Sequence, residues 1–449
     1  KVDVTMTKEQ EMNFTFKRAV EDVSSGGTPR NTTGLYLGIG RIWLQCVGAM
    51  GDIKMKILMI FMCVSIITKV ADCEDEISIS YLPTIVRHFS ARIADHLIIP
   101  PFGTPDNFVF SGLRVVSSLL TMYDLGSYKM KADIKLILGL TSKLEEKGCQ
   151  LMNTLTSYDV IQESQFGVLF NSSLFYRSKM KPNKVKISGP CIGGQAEKLN
   201  FTDKLIAMHR INEWYDVWGQ LYFQHYLLDP LVPNTNELLM NRLRMKIVMK
   251  NDFQYSEKIK FIDMKGNEID VNAMEKVGSF AFEYSKLYNV FLLREDFPGE
   301  RFSSLVILPN YESMEFRRTM RSLFEVELFS NILLRGASLT KKTRMLVRMP
   351  ELEVQTRVDM KDILRNIGLR AIDDADCLSA LACRSTKIHQ FPHSEFIQFV
   401  AEEMGDTNDS QCDSFKVARP FIFVILDKKY NVPLKVVVYT GIKKFSRTT

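Results

Sequence analysis

The sequence lacks the motifs on which most hydrolases and cofactor enzymes depend. It has no G-x-S-x-G nucleophile elbow, no H-E-x-x-H zinc motif, no C-G-x-C-W cysteine context and no glycine-rich phosphate loop. Its six histidines stand without partners at any catalytic or metal-ligand spacing: His88, His96, His209, His225, His389 and His393. We therefore expect a protein that is not an enzyme and that needs no metal or cofactor.

An excess of one charge sign is also absent. The chain has 58 Lys and Arg against 52 Asp and Glu, and the net charge of +6 is small for 449 residues. This balance indicates ordinary solubility rather than nucleic-acid binding. Basic clusters lie at residues 177–186, 317–321 and 341–348, and a solvated surface is the simpler interpretation of each. The alternative is a polyanion site formed by Lys341, Lys342, Arg344 and Arg348.

A short apolar stretch near the N-terminus has the layout of a signal peptide. Residues 55–73 have a basic start, an apolar stretch from Ile57 to Ile67 and a small-x-small exit. The apolar stretch is too short for a membrane span, which needs about 20 residues. We interpret residues 1–54 as an upstream or artificially added segment and residues 74–449 as one mature, secreted domain. The alternative is a buried element of an N-terminal extension.

Secretion would give two further sequence features a meaning. Three Asn-x-Ser/Thr triplets become candidate glycosylation acceptors: Asn171, Asn200 and Asn408. The cysteines after the leader are Cys149, Cys191, Cys377, Cys383 and Cys412, with Cys73 at the boundary. The sequence does not determine how they pair, nor the oligomeric state of the protein.

Two strand-like segments near the C-terminus flank a polar segment. In the first, Phe396, Gln398 and Val400 alternate with Ile397, Phe399 and Ala401. The second, Pro420 to Leu426, is almost continuously apolar. Between them, residues 406–414 are only Asp, Thr, Asn, Ser, Gln and Cys. The pattern predicts two strands joined by an exposed loop.

This arrangement resembles the C-terminal end of a serpin, and similar motifs follow in order from about Tyr81 to Ile442. They are Asn107 to Gly126, Asn200 to Asp203, Ile211 to Trp214, Met240 to Lys246, Gly278 to Tyr284, Ser303 to Pro309, Met349 to Val354 and Met360 to Leu369. The resemblance implies the serpin fold, a mixed α+β domain with a large central β-sheet, additional sheets and eight to nine helices. It also implies an exposed reactive loop near the C-terminus.

In this family, a protease cuts the loop, which then inserts into the sheet as a strand, and the bonds gained there trap the protease. The resemblance assigns the loop to Glu402, Glu403, Met404, Gly405, Asp406, Thr407, Asn408, Asp409, Ser410, Gln411, Cys412, Asp413 and Ser414. This loop leaves the stretch from His393 to Pro420 roughly eight to ten residues shorter than the family pattern, a deficit of about 26 to 33 Å of extended chain. Its first half is acidic where small residues would be needed, since alternate side chains of an inserted strand become buried.

The resemblance also assigns a polar cluster that controls how the central strands part: Ser111, Arg114, Asn241 and His393. Gly112 and Arg114 depart from the family pattern, which has a proline and a serine there. An arginine at this position must find a carboxylate or leave the core.

The leading hypothesis is a secreted, non-inhibitory serpin that binds an extracellular protein or small ligand, or acts as a carrier or structural protein. The first alternative is an inhibitor of serine or cysteine proteases that uses residues 405–415 as bait. The weaker alternative is a serpin that binds glycosaminoglycans. No membrane span and no nucleic-acid partner are expected.

Overall fold

The computed structural model describes residues 81–98, 107–141, 166–177, 196–216, 237–247, 253–310, 316–374, 388, 391–399, 401 and 413–441. All of them belong to one structural unit, Ile77–Thr449. The predicted leader, residues 1–54, the eight cysteines and loop residues 402–412 lie outside the described residues.

The described residues form seven α-helices. They are α1 (81–98), α2 (Gly112–Leu125), α3 (Tyr128–Leu138), α4 (Lys204–Asp216), α5 (Phe316–Ser322), α6 (Val326–Ala337) and α7 (Met360–Ile367). A single 3₁₀ turn, Arg370–Asp373, follows α7. None of the helices in these ranges is long and apolar enough to cross a membrane.

Fourteen strands accompany the helices in the described part of the chain. They are β1 (Phe108–Phe110), β2 (Phe166–Arg177), β3 (Ala196–Leu199), β4 (Glu237–Ile247), β5 (Gln254–Ile262), β6 (Glu268–Ser285), β7 (Val290–Asp296), β8 (Phe302–Pro309), β9 (Lys342–Pro350), β10 (Leu352–Asp359), β11 (Pro392–Phe399), β12 (Asp413–Lys416), β13 (Phe421–Asp427) and β14 (Val432–Tyr439).

The strands form one large sheet and two smaller ones. The large sheet has nine strands in the order β1-β14-β13-β8-β7-β6-β9-β12, with β5 also paired to β6. A second sheet has the order β3-β2-β4, and β10 pairs with β11 in a third. Helices and a large mixed sheet together confirm the predicted mixed α+β class.

The centre of the large sheet is fully buried. Every residue of β8, β13 and β14 is buried, which explains why these segments read as near-continuous apolar runs rather than alternating ones. The predicted apolar strand from Pro420 to Leu426 is β13. It lies between β14 and β8 and is antiparallel to both.

Helix α2 lies in the core beside helix α1, and their close approach depends on a glycine. Twelve of the fourteen residues of α2 are buried. A Cβ atom on Gly112 would collide with the side chain of Ser90 in α1. Gly112, noted above as a departure from the family pattern, is therefore required by local packing.

Helix α4 has its own small core against the three-stranded sheet. Phe175 of β2 and Trp214 of α4 meet edge to face, with ring centroids 5.8 Å apart. Leu199, Phe201, Ala207 and Ile211 complete the buried cluster. These apolar contacts pack α4 against β2.

Candidate functional site

The two strands that flank the predicted loop belong to different sheets. Strand β11 ends at Phe399 and pairs with β10, whereas β12 begins at Asp413 and runs parallel to β9. Asp413 and Ser414, which the sequence assigns to the loop, are the first residues of β12 and pair with Met345 and Leu346. The connection between the strands therefore runs from residue 400 to residue 412, which is thirteen residues.

One face of β11 is buried along its whole length, with an apolar half and a polar half. Ile397, Phe399 and Ala401 are buried, and Gln398 between them is exposed, as the alternation predicts. Phe399 contacts Phe423 of β13, with ring centroids 5.1 Å apart. The polar half of the same face carries His393 and Glu395, both buried.

Glu395 is the centre of a buried ionic cluster. Its Oε1 accepts a hydrogen bond of 2.6 Å from Nη1 of Arg114, and its Oε2 lies 3.4 Å from Nζ of Lys435. The Nε2 atom of His393 lies 3.7 Å from Oε1 of the same carboxylate. The side chains of Arg114 and Glu395 are only 2% and 1% exposed. The cluster therefore joins helix α2 to strands β11 and β14 through charged groups that water does not reach.

Burial and charge shift the pKa values of Glu395, Lys435 and His393 to different degrees. Burial alone would raise the pKa of Glu395, but the positive charges of Arg114 and Lys435 outweigh it and the pKa is lowered. Burial lowers the pKa of Lys435, with Glu395 opposing. Burial, reinforced by Arg114, lowers the pKa of His393 to about 3, so the imidazole is neutral at physiological pH. Its Nε2 has no hydrogen-bond partner among the residues that the structure describes.

The local sequence explains how these side chains reach one place. Ser111 caps helix α2, since its Oγ accepts a hydrogen bond from the backbone N–H of Arg114. The cap begins the helix one turn before Arg114. His393 and Glu395 are two residues apart in a strand and so point to the same face. Lys435 is the one cation in the otherwise apolar strand β14.

Three residues of the sequence-predicted cluster, Ser111, Arg114 and His393, lie at this site. Asn241 lies in β4, opposite Ser172 of β2, and its side chain is outside the described part of the structure. Sequence reasoning missed Glu395 and Lys435. The sequence did contain a signal for both residues. A lysine within an apolar strand, and a glutamate on the same strand face as a buried histidine, each need a partner of opposite charge.

The predicted polyanion patch is partly neutralised by carboxylates. Nζ of Lys342 lies 3.8 Å from Asp296, and Nη2 of Arg348 lies 2.5 Å from Glu275. Arg344 also has an interaction partner. Lys341 borders an open surface cavity of about 440 Å³ between β6, β9 and the end of α6. Two of the four predicted residues, Lys342 and Arg348, therefore already contact carboxylates.

The glycosylation triplets fall in three different environments. Asn171 lies within β2, paired with Arg242 of β4. Asn200 is exposed in the short connection between β3 and α4. Asn408 lies outside the described residues. The ranges that the structure describes contain no group of three or more His, Cys, Asp or Glu side chains able to hold a metal ion.

A mixed α+β domain with one nine-stranded sheet, in which the C-terminal strands β11 and β12 lie in different sheets, is typical of a class of protease inhibitors. Residues 85–438 match the family Serpin (serine protease inhibitor). The chain belongs to the serpin family.

Similar curated proteins and solved structures agree with this assignment. Neuroserpin of Rattus norvegicus is 20% identical over 376 residues, covering 77% of this chain and 88% of the relative. Serpin B3 of Homo sapiens is 24% identical over 242 residues, covering 49% and 60%. The structure is similar to that of thyroxine-binding globulin in complex with thyroxine, with a TM-score of 0.71, 15% identity, and coverage of 81% of this chain and 100% of that one. The predicted serpin fold is confirmed.

Proposed function

We propose that this chain is a secreted, non-inhibitory serpin that acts outside the cell as a binding, carrier or structural protein. It is not an enzyme on this proposal. The observation that carries the proposal is the connection between β11 and β12, which is short and acidic.

The acidic residues of the connection oppose burial in a sheet. Side chains of a strand alternate between its two faces, so residues of one parity share a face. Asp406 and Asp409 are an odd number of positions apart, so in an extended strand their side chains would point to opposite faces. Whichever face an inserted strand buried, it would bury one of these carboxylates. Without a partner this costs several kcal/mol.

The length of the connection opposes insertion as well. Thirteen extended residues reach about 43 Å in total. β11 alone spans eight residues, and an inserted strand must first reverse direction before running beside it. A cut near the middle of the connection would leave too few residues on the β11 side to form such a strand.

The ionic cluster adds a third opposing contribution. Strand β11 is joined to α2 and β14 through Glu395, and a displacement of β11 would separate buried charges. Separating a buried ion pair is strongly unfavourable, because each charge is then left uncompensated. Moving β11 away from α2 and β14 is therefore costly.

A carrier role agrees with one structural neighbour. Thyroxine-binding globulin, which is similar in fold, has been solved with thyroxine bound. On this chain, the cavity beside Lys341 is lined by Phe282 and Tyr284 together with the ion pair of Arg335 and Glu283, so it combines aromatic and charged groups. Such a surface suits a small polar aromatic ligand better than a purely apolar one.

A protease panel tests the proposal. The mature chain is incubated with serine and cysteine proteases and examined by denaturing electrophoresis for a covalent complex. We expect cleavage without such a complex. A stable complex with any protease would refute the proposal and favour the inhibitor alternative, in which residues 405–415 are bait.

Thermal melting before and after cutting the connection provides a second measurement. We expect little gain in melting temperature on cutting. The Asp406→Ala/Asp409→Ala variant should gain more than the parent chain if the carboxylates oppose insertion. Asp413→Ala is the matched control, because Asp413 already lies in β12. A large gain in the unmodified chain would contradict the proposal.

The glycosaminoglycan alternative and secretion have separate tests. Heparin retention that falls with salt, and that Lys341→Ala/Lys342→Ala abolishes, would support a polyanion site. Mass spectrometry of the secreted chain's N-terminus tests the leader, since secretion through residues 55–73 requires a mature terminus close to Cys73.

A further inference from the structure

The connection between β3 and α4 contains an N-glycosylation triplet whose asparagine and threonine are exposed. Asn200, Phe201 and Thr202 form an acceptor triplet. The Oδ1 atom of Asn200 accepts a hydrogen bond of 3.2 Å from the backbone N–H of Thr202. This contact brings the asparagine amide and the threonine backbone together on an exposed turn, and Phe201 between them is buried in the α4 core. The buried phenylalanine anchors the turn and leaves Asn200 directed outward.

The first turn of α4 exposes two large aliphatic side chains close to this turn. Leu205 and Ile206 are each 64% exposed, whereas Ala207 and Ile211 on the same helix are fully buried. Adjacent exposed aliphatic residues are unfavourable in water and promote association. A glycan is bulky and solubilising. Attached five residues before Leu205, it would cover this pair.

We propose that Asn200 carries an N-linked glycan that shields Leu205 and Ile206. The proposal rests on the secretion of the chain. In the reaction, the Nδ2 atom of Asn200 forms a bond to the anomeric carbon of a lipid-pyrophosphate-linked oligosaccharide. The bond from that carbon to the pyrophosphate oxygen breaks, the lipid pyrophosphate leaves with the electron pair, and the amide loses one proton.

Of the three acceptor triplets, only this one has a described and exposed environment. Asn171 lies within a strand that is hydrogen-bonded to β4, where an attached glycan would have to form while the sheet assembles. The structure therefore distinguishes between two triplets that the sequence treats equally.

The test is expression in a eukaryotic secretory host, once with residues 55–73 as leader and once with a heterologous leader. Trypsin releases Leu199 to Lys204 as one peptide, which mass spectrometry examines before and after glycosidase treatment. We expect a glycopeptide that Asn200→Gln and Thr202→Ala remove, and that Thr202→Ser retains because serine also completes the triplet. Asn171→Gln is the matched control and should leave this peptide unchanged.

If the protein secreted with the heterologous leader yields only the unmodified peptide, the assignment of Asn200 as a glycan acceptor is overturned. Failure of the native leader alone, with a glycopeptide from the heterologous one, would instead count against secretion in the proposed function.

The shielding role has its own readout. Asn200→Gln should aggregate faster than the parent chain on mild heating, and adding Leu205→Gln/Ile206→Gln should remove most of that difference. Equal aggregation of the parent chain and Asn200→Gln would refute shielding.

Discussion

The neutral histidine of the ionic cluster makes stability depend on pH in a range where few other groups titrate. His393 is 4% exposed, and burial with the neighbouring Arg114 lowers its pKa to about 3 in the folded chain. In the unfolded chain the value is about 6.5. As the pH falls below about 6.5, the unfolded state binds a proton that the folded state does not. Stability is therefore present above this pH and is lost as the pH falls toward 3.

The magnitude follows from the interval between the unfolded pKa and the working pH. At about pH 5 the interval is roughly 1.5 units, and at about 1.36 kcal/mol per unit the loss of stability is about 2 kcal/mol. His393→Gln removes the titrating group and should remove this loss. The carboxylate of Glu395 is largely ionised in the unfolded state over this pH range. In the folded state its pKa is lowered from the ordinary value, so it is ionised there as well.

Urea unfolding of the parent chain and of His393→Gln at about pH 7.5 and about pH 5 measures the effect. The comparison is the difference between the two pH values within each protein, so a uniform change in stability caused by the substitution cancels. His209→Gln is the matched control, since it removes an exposed histidine of helix α4 that lies outside the ionic cluster. Equal pH dependence of His393→Gln and the parent chain would refute the reasoning.

Two further substitutions test the packing around the same site. Glu395→Gln leaves the charge of Arg114 buried without its carboxylate and should lower the free energy of unfolding by about 3–5 kcal/mol. Glu283→Gln breaks an exposed ion pair and should lower it by less than about 1 kcal/mol. Similar losses in urea unfolding would contradict a buried, desolvated cluster. Gly112→Ala forces a methyl group against Ser90 and should cost about 1–3 kcal/mol, and adding Ser90→Gly should recover part of the loss, so strictly additive effects would argue against the contact.

The sequence by itself was sufficient for the scaffold and for the approximate position of the loop. An uninterrupted apolar run predicts a strand buried on both faces, and β13 is such a strand. The alternation from Phe396 to Ala401 predicts which residues of β11 face the core, since strand geometry has a period of two. The shortness and acidity of the connection are also properties of the chain alone. They need only approximate strand ends, and the structure begins β12 at Asp413, so the last two residues of the loop that the sequence assigns belong to this strand.

Only the tertiary structure decided which charges meet. The sequence required a carboxylate for Arg114, but Glu395 lies 281 residues further along and Lys435 further still. Which of many carboxylates approaches depends on how α2, β11 and β14 pack, and no local pattern encodes that separation. The same holds for the acceptor triplets. Whether an asparagine lies within a paired strand or on an exposed turn is set by its neighbours in space, because a triplet reads the same in both places.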